Sequence, residues 1–295
     1  MEGIVAVLKP PAMSSNDVVV DIRKLFGIKR VGHLGTLDPE AAGVLPVCVG
    51  RAVRLFDYLV DKQKEYLAEI SFGIATNTQD AQGTVTERCD TIIRSEQLTA
   101  VLSQFLGSGE QIAPMYSALK YNGKKLYDLA RSGTEIPEKR REIVIDSIQL
   151  IAQTAPNRFL IRVKCSRGTY IRTLCADIGS ALNVPSHMSF LLRTSSGPFD
   201  LNRSFTIPEL YRLKEANRLS DSLTSCDDAL QFMPACVLHP DRLRPSLNGL
   251  ETNLNRPVRG FVRLYAADRF LGIGRSSEGS VKLIVNLLEN DSDFR

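Results

Sequence analysis

One acid stands alone in "GHLGTLDPEAAGVLPVCVG", residues 32–50: Asp38 sits among glycine, threonine and proline where the chain should turn. An isolated Asp-Pro pair ordinarily just starts a turn. Here Gly32, Gly35 and Gly43 bracket it, so the backbone can pass close to something large. Glu40 lies two residues on, where a turn aims its side chain elsewhere. A lone ionised carboxylate can act as a nucleophile or as a base. His33, five residues earlier, is either a turn residue bonding its own backbone or a flat polar ring beside a ligand.

Three further stretches bear on that acid. Tyr66, in "KEYLAEISFG", is either a core aromatic at the wet edge of a strand or a ring facing a substrate. Arg172 follows Ile171 on a segment with core residues at helical spacing, so its head should lie near a sheet and invite a carboxylate. Pairing would hold Asp38 ionised and aimed; the plain alternative is a snorkelling surface arginine. "MYSALKYNGKKLYDLARSG" interleaves Tyr116, Tyr121 and Tyr127 with Lys120, Lys124, Lys125 and Arg131. Stacking faces among phosphate-neutralising cations suit looped RNA, although a solvated helix has the same composition.

The elements that must position these residues mix strands and helices without regular β-α alternation. "GIVAVLK" predicts a buried strand stopped by Pro10 and Pro11, and a helix capped by Ser14 or Ser15 runs to Gly27. "LPVCVG" reads as a strand, and "RAVRLFDYLV" carries a helical stripe. "KEYLAEISFG" alternates as a strand, and "SEQLTAVLSQFLG" is a helix with Ser95 as its cap. "REIVIDSIQLIAQ" and "NRFLIRVKC" form a hairpin before the helical "GTYIRTLCADIGSALN". The predicted class is α+β, a mainly antiparallel mixed sheet flanked by helices and loops. Past Met233–Pro234 short strands and glycine turns predict a small β-barrel-like unit, with a boundary giving residues 1–235 and 236–295.

The chain has 295 residues and a net charge of +4, which permits a nucleic-acid partner without demanding one. Three basic groups stand out: Arg23, Lys24, Lys29 and Arg30 before the loop; the lysine-tyrosine stretch with Lys139–Arg141; and Arg158, Arg162, Lys164, Arg167 and Arg172. Six cysteines lack C-x-x-C pairing and lie in apolar surroundings, which predicts buried thiols in a reducing compartment. Three dispersed histidines make no metal constellation, and no metal is expected. The opening "MEGIVAVLKPP" has no basic leader and no stretch is long enough for a membrane span, so a cytoplasmic protein without membrane association is expected. No phosphate cradle, G-x-S-x-G elbow or H-E-x-x-H is present, which removes support for nucleotide cofactors.

"VGHLGTLDPEAAGVLPV", "KEYLAEISFGIATNTQDAQG", "MYSALKYNGKKLYDLARSG" and "CSRGTYIRTL" together resemble, in order, the signatures of the bacterial tRNA pseudouridine-55 synthase family, the TruB type. The resemblance covers most of residues 1–235, and the end of the chain resembles, less sharply, a compact PUA RNA-binding domain. It implies isomerisation of the tRNA T-loop uridine after base flipping. It implies Asp38 as the catalytic carboxylate, Tyr66 as a catalytic residue that stacks on the uracil and can move a proton, and Arg172 ion-paired with Asp38. Tyr170 would contact the base, His33 would fill the vacated place, and Leu191 would wall the pocket. Lys9 and Asp80 correspond to positions near the pocket, and an insert at about 112–141 with Lys120, Tyr121, Lys124 and Lys125 would grip RNA. Glu40 and Ala42 depart from the commonest pattern, and Ala42 loses a hydrogen bond beside the loop. No cofactor is implied, the partner is the T-arm of tRNA, and a monomer is expected.

Three other readings compete. A tRNA-folding chaperone without catalysis would not need Asp38, Tyr66 and Arg172 together. A guide-RNA-dependent synthase of the dyskerin type shares the L-D-P and G-T-Y-I-R motifs, but the "YNGKKLYDLARSG" insert and the lack of a lysine-rich tail favour a stand-alone enzyme with no guide RNA. A metal-dependent phosphodiesterase using His33 and Asp38 is the most distant.

Overall fold

The computed structural model describes residues 1–60, 62–114, 140–254 and 258–288, with the backbone of 120–121 and 124–125. Strand β1 (Gly3–Lys9) ends at the two prolines. Helix α1 (Ser15–Phe26) starts on a reciprocal cap: the Asp17 N–H donates to the Ser14 hydroxyl and the Ser14 N–H to the Asp17 carboxylate. Its stripe of Val18, Val19, Ile22, Leu25 and Phe26 is buried, and Gly27 closes it in the left-handed region. Strands β2 (Val31–His33) and β3 (Ala42–Val49) pair across the aspartate loop. The expected helix over "RAVRLFDYLV" is instead a 3-10 stretch, Gly50–Leu55, followed by the single turn of α2 (Phe56–Leu59).

Strand β4 (Lys64–Phe72) carries Tyr66, Ala68 and Ile70 on its buried face. Short β5 (Ile74–Thr76) and β6 (Val85–Arg88) form a separate hairpin. Helix α3 (Ser95–Leu102) is capped not by Ser95 but at Arg94, whose N–H donates to Gln97 Oε1 at 2.9 Å. The reach-back of that third-position glutamine sets the start one residue earlier. Strand β7 (Gly107–Ile112), the small ladder of β8 (Lys120–Tyr121) and β9 (Lys124–Lys125), and the long β10 (Arg140–Ala155) follow. The hairpin to β11 (Arg158–Cys165) and helix α4 (Ile171–Ala181) lie where the sequence put them. Strands β12 (Ser186–Ser196) and β13 (Phe199–Asp200), helix α5 (Ile207–Glu215) and the short α6 (Cys226–Ala229) complete the first 230 residues.

Nine of these strands make one sheet, ordered β1-β3-β12-β4-β11-β10-β7, with β2 beside β3 and β13 beside β12. Every pairing is antiparallel except β12 with β3, which confirms the mixed, mainly antiparallel α+β class. That parallel contact sets Leu192–Arg193 against Ala42–Gly43. Gly43 has φ +116°, and a Cβ there would collide with the Arg193 backbone. Gly43→Ala should therefore cost about 3 kcal/mol or more, read as a lower urea midpoint; an unchanged midpoint would refute so close a crossing.

After β14 (Ala235–Leu238) come α7 (Leu243–Leu247), β15 (Thr252–Asn253), β16 (Gly260–Ala266), β17 (Arg269–Ser277) and β18 (Ser280–Asn286). They form a curled five-stranded sheet, in keeping with the small β-barrel-like unit the glycine-punctuated texture predicted and with the PUA-like domain the resemblance implied. It does not hang on a loose linker. Its Ile273 and Leu287 pack in one apolar cluster with Ile4, Val44 and Leu55. Asp227 on α6 accepts from Arg263 at 2.9 Å and from the Tyr265 hydroxyl at 2.5 Å. Arg54 donates to the Asn286 carbonyl at 2.7 Å, and Arg51 to that of Leu288. The six cysteines are free thiols, five of them buried and Cys89 half-buried. Among the described residues no helix is long and apolar enough to cross a membrane.

Candidate active site

A cleft of about 380 Å³ opens where the aspartate loop, β4, β12 and the start of α4 converge. Asp38, His33, Tyr66, Tyr170, Arg172 and Leu191 all line it, although they come from four separate stretches of chain.

The loop is held by its carbonyl groups. Arg193 is fully buried and donates to the carbonyls of Gly35 at 3.2 Å, Thr36 at 3.4 Å and Val44 at 2.7 Å. The Ser15 hydroxyl, at the start of α1, both donates to the Leu37 carbonyl at 3.0 Å and accepts from the Leu37 N–H at 2.9 Å. The Ala41 N–H donates to the Asp38 carbonyl at 3.1 Å. Lys9, also fully buried, donates to the carbonyls of Pro39 and Pro10 at 2.8 Å and of Met13 at 2.6 Å. Every carbonyl from Gly35 to Pro39 thus has a partner, and two buried cations supply three of the five. Such satisfaction is what buried polar backbone requires, and it leaves the loop one conformation.

Asp38 rises from that platform with its carboxylate partly exposed to the cleft. Arg172 Nε meets Asp38 Oδ2 at 2.9 Å and Nη2 meets Oδ1 at 3.5 Å, a forked pair. The third guanidinium nitrogen, Nη1, donates to the Thr78 carbonyl at 3.0 Å and lies 3.7 Å from Asp80 Oδ2. Asp80 is itself fixed by the Thr78 hydroxyl at 2.6 Å and the Gln82 N–H at 3.0 Å. Arg172 is thus a buried cation between two acids, not a snorkelling surface residue.

Burial pushes the Tyr66 phenol above its ordinary range, against an opposing pull from Arg193 beside it, so the hydroxyl stays protonated at neutral pH. The His33 ring is pushed below its ordinary value, first by burial and then by the Arg193 charge, and is neutral at pH 7. Its Nδ1 is buried without a hydrogen-bond partner, an orphan atom at the cleft. Leu191 is buried in the wall, and Tyr170 caps α4 with extended backbone.

Two expected residues stand back from the cleft. Lys9 lies beneath the loop as a strut, since β1 carries its amine into the ring of carbonyls rather than toward the opening. Asp80 sits behind Arg172. The third basic group divides: Arg158, Arg162 and Lys164 alternate onto the exposed face of β11, away from Val163, which pairs with Tyr66, whereas Arg167 and Arg172 reach the cleft. The side chains of Lys120, Tyr121, Lys124 and Lys125 lie outside the described residues, although their backbones form the β8–β9 ladder.

Residues 23–171 match the model of the TruB family pseudouridylate synthase N-terminal domain, and residues 172–252 that of the tRNA pseudouridylate synthase B C-terminal domain. The chain belongs to the TruB family. The tRNA pseudouridine synthase B of Caldanaerobacter subterraneus subsp. tengcongensis is 50% identical over 277 residues, 93% of this chain and 95% of that one. That of Clostridioides difficile (strain 630) is 40% identical over 289 residues, 94% and 95%. An H/ACA RNP bound to a substrate RNA containing 2′-deoxyuridine shares the fold, with a TM-score of 0.74 at 22% identity over 98% of this chain and 86% of that one. The protein is a pseudouridine synthase.

Within this TruB-family site, the sequence reading missed Arg193, Ser15 and Thr78. Arg193 had a signal: it falls two residues after Leu191, on the inward face of a strand, where a charged side chain must find buried partners. Ser15 and the Thr78 carbonyl had none, because their contacts span 22 and 94 residues of chain.

Proposed function

We propose that this enzyme converts the T-loop uridine of tRNA, position 55, to pseudouridine, with Asp38 as its catalytic carboxylate. The observation that carries the reading is the lining of the cleft. Among the described residues Asp38 is its single carboxylate, set among Lys64, Arg141, Arg167, Arg172 and Arg193 with two tyrosines and Leu191. The relatives' shared name supplies the substrate class. Uridine inside a folded loop cannot reach such a cleft, so the nucleotide must be everted. The neutral His33 ring, with its orphan nitrogen, is suited to occupy the gap in the RNA.

In the cleft the N1–C1′ bond breaks, and the uracil turns between Tyr66 and Leu191. C5 then bonds to C1′, the C5 hydrogen leaves as a proton, and N1, which kept the electron pair of the broken bond, takes up a proton. Asp38 either attacks C1′ and is displaced by C5, or removes the C2′ proton and returns it; both routes regenerate the carboxylate. Arg172 aims Asp38, Tyr170 contacts the base, and Tyr66 stacks with a phenol that burial keeps protonated. Arg172 is in turn steadied by Asp80. Lys120, Tyr121, Lys124 and Lys125 hold the T-arm phosphates and bases. On this reading the enzyme works as a cytoplasmic monomer, needing neither cofactor nor guide RNA.

The test is tritium release from tRNA labelled at uridine C5, and from bare T-arm RNA, with no other protein or guide added. Release is expected from both, and none from a transcript carrying cytidine at position 55. Unchanged release from the cytidine transcript would overturn the assignment of the target.

A further inference from the structure

The near wall of the cleft, Arg167–Tyr170, is not self-supporting. It hangs on the edge strand β7 and its neighbour β10. The Ser166 N–H donates to the Val144 carbonyl at 2.8 Å, and the Val144 N–H to the Ser166 hydroxyl at 2.9 Å. Gln111 and Arg141 are cross-strand partners, so their side chains leave the ladder on one face. Arg141 lies over Gly168, where a Cβ would sit 3.0 Å from its Nη2.

Gln111 does more. It is 3% exposed, and both ends of its carboxamide are spent on one residue. The Tyr170 N–H donates to Gln111 Oε1 at 2.7 Å, and Gln111 Nε2 donates to the Tyr170 carbonyl at 3.0 Å. That carbonyl also accepts the first α4 bond, from the Leu174 N–H at 3.0 Å. Tyr170 has no side-chain cap of its own. The amide of Gln111 therefore acts on the N-cap peptide as a neighbouring strand would, and that peptide sets where the Tyr170 ring and the Arg172 guanidinium point.

We propose that Gln111 is a positioning residue for the isomerisation: its carboxamide registers the start of α4 against the sheet, and so places Tyr170 and Arg172 relative to Asp38. This rests on the function proposed above. Gln111 lines no part of the cleft with Asp38, so its side chain is not placed to touch a reacting atom there.

The experiment is single-turnover tritium release at saturating enzyme, well below the melting temperature, with tRNA affinity measured separately. Gln111→Leu should lower the rate about tenfold to a hundredfold, the usual effect of a small misplacement of a catalytic constellation, with tRNA Kd within about threefold of wild type. Gln111→Glu gives a signature that a packing defect would not. Ionised, it accepts from the Tyr170 N–H but confronts the Tyr170 carbonyl with a second acceptor. Protonated, it donates and accepts as glutamine does. Burial raises a carboxyl group's pKa, so the deficit of Gln111→Glu relative to wild type should shrink as pH falls from 8 toward about 6. A Gln111→Leu enzyme at the wild-type rate, a loss confined to Kd, or a Gln111→Glu deficit independent of pH would each overturn the proposal. In those cases an active wild type leaves the proposed function standing; a wild type that releases no tritium ends both.

Discussion

Asp38→Asn should abolish turnover, by about 10⁴-fold or more in single-turnover rate, because it removes the group assigned to the bond-making or proton-removing step. The amide matches the carboxylate in size and still presents one oxygen to Arg172 Nε, now 2.9 Å from Asp38 Oδ2. The platform below it does not depend on the charge: the carbonyls of Gly35, Thr36, Leu37 and Pro39 are held by Arg193, Ser15 and Lys9. Arg172 keeps its bond to the Thr78 carbonyl and its proximity to Asp80. The cleft loses one negative charge facing RNA, so tRNA affinity should hold within about threefold or rise slightly. Filter binding and tritium release on the same preparation separate the two quantities. Turnover within tenfold of wild type would remove Asp38 from the catalytic role, and loss of binding in step with activity would make it a folding residue. A chaperone without catalysis predicts no rate to lose.

How far the site could be read from the chain depended on whether each residue's partners were local. The strand periodicity put Tyr66 on the drier face of its strand, the core residues around Arg172 put its head near a sheet, and the glycine-bracketed loop drew attention to Asp38. Those positions follow from backbone period alone. Pairing across 134 residues between Asp38 and Arg172 is a matter of topology: the residue types invited it, and the family resemblance singled it out. Lys9 shows the opposite limit. The resemblance put Lys9 near the pocket, yet its amine is taken up by three carbonyls that come together only once the loop folds over it. The basic group from Arg158 to Arg172 shows a third: charge density along the chain is not charge density on a face. The β11 alternation turns Arg158, Arg162 and Lys164 to one side of the sheet and leaves Arg167 and Arg172 to the cleft. The inward arginine at 193 was legible in principle, since a buried guanidinium must be satisfied by something. What satisfied it, the loop carrying the catalytic acid, was not.

Arg172→Met should cost both rate and stability, and the two losses can be told apart. The side chain is 6% exposed and bonds three partners: the Asp38 carboxylate, the Thr78 carbonyl and, more distantly, Asp80. Methionine fills much of the volume but leaves Asp80 and Asp38 facing one another's field without a cation. Removing one partner of a buried ion pair typically costs about 3–5 kcal/mol. Asp38 is open to solvent through the cleft, so the lower end is expected, seen as a reduced urea midpoint. With the fork gone Asp38 is free to rotate, and the single-turnover rate should fall about a thousandfold, the range for losing an electrostatic anchor in a closed site. Arg172→Lys keeps the charge but cannot bridge both carboxylate oxygens and the Thr78 carbonyl at once, because an ammonium is a point donor on a flexible stem. It should restore much of the stability and little of the rate. Asp80→Asn leaves the 2.9 Å contact to Asp38 in place and should cost only about tenfold. A lysine variant recovering rate and stability in equal proportion would mean that Arg172 serves the fold and that Asp38 needs no aiming.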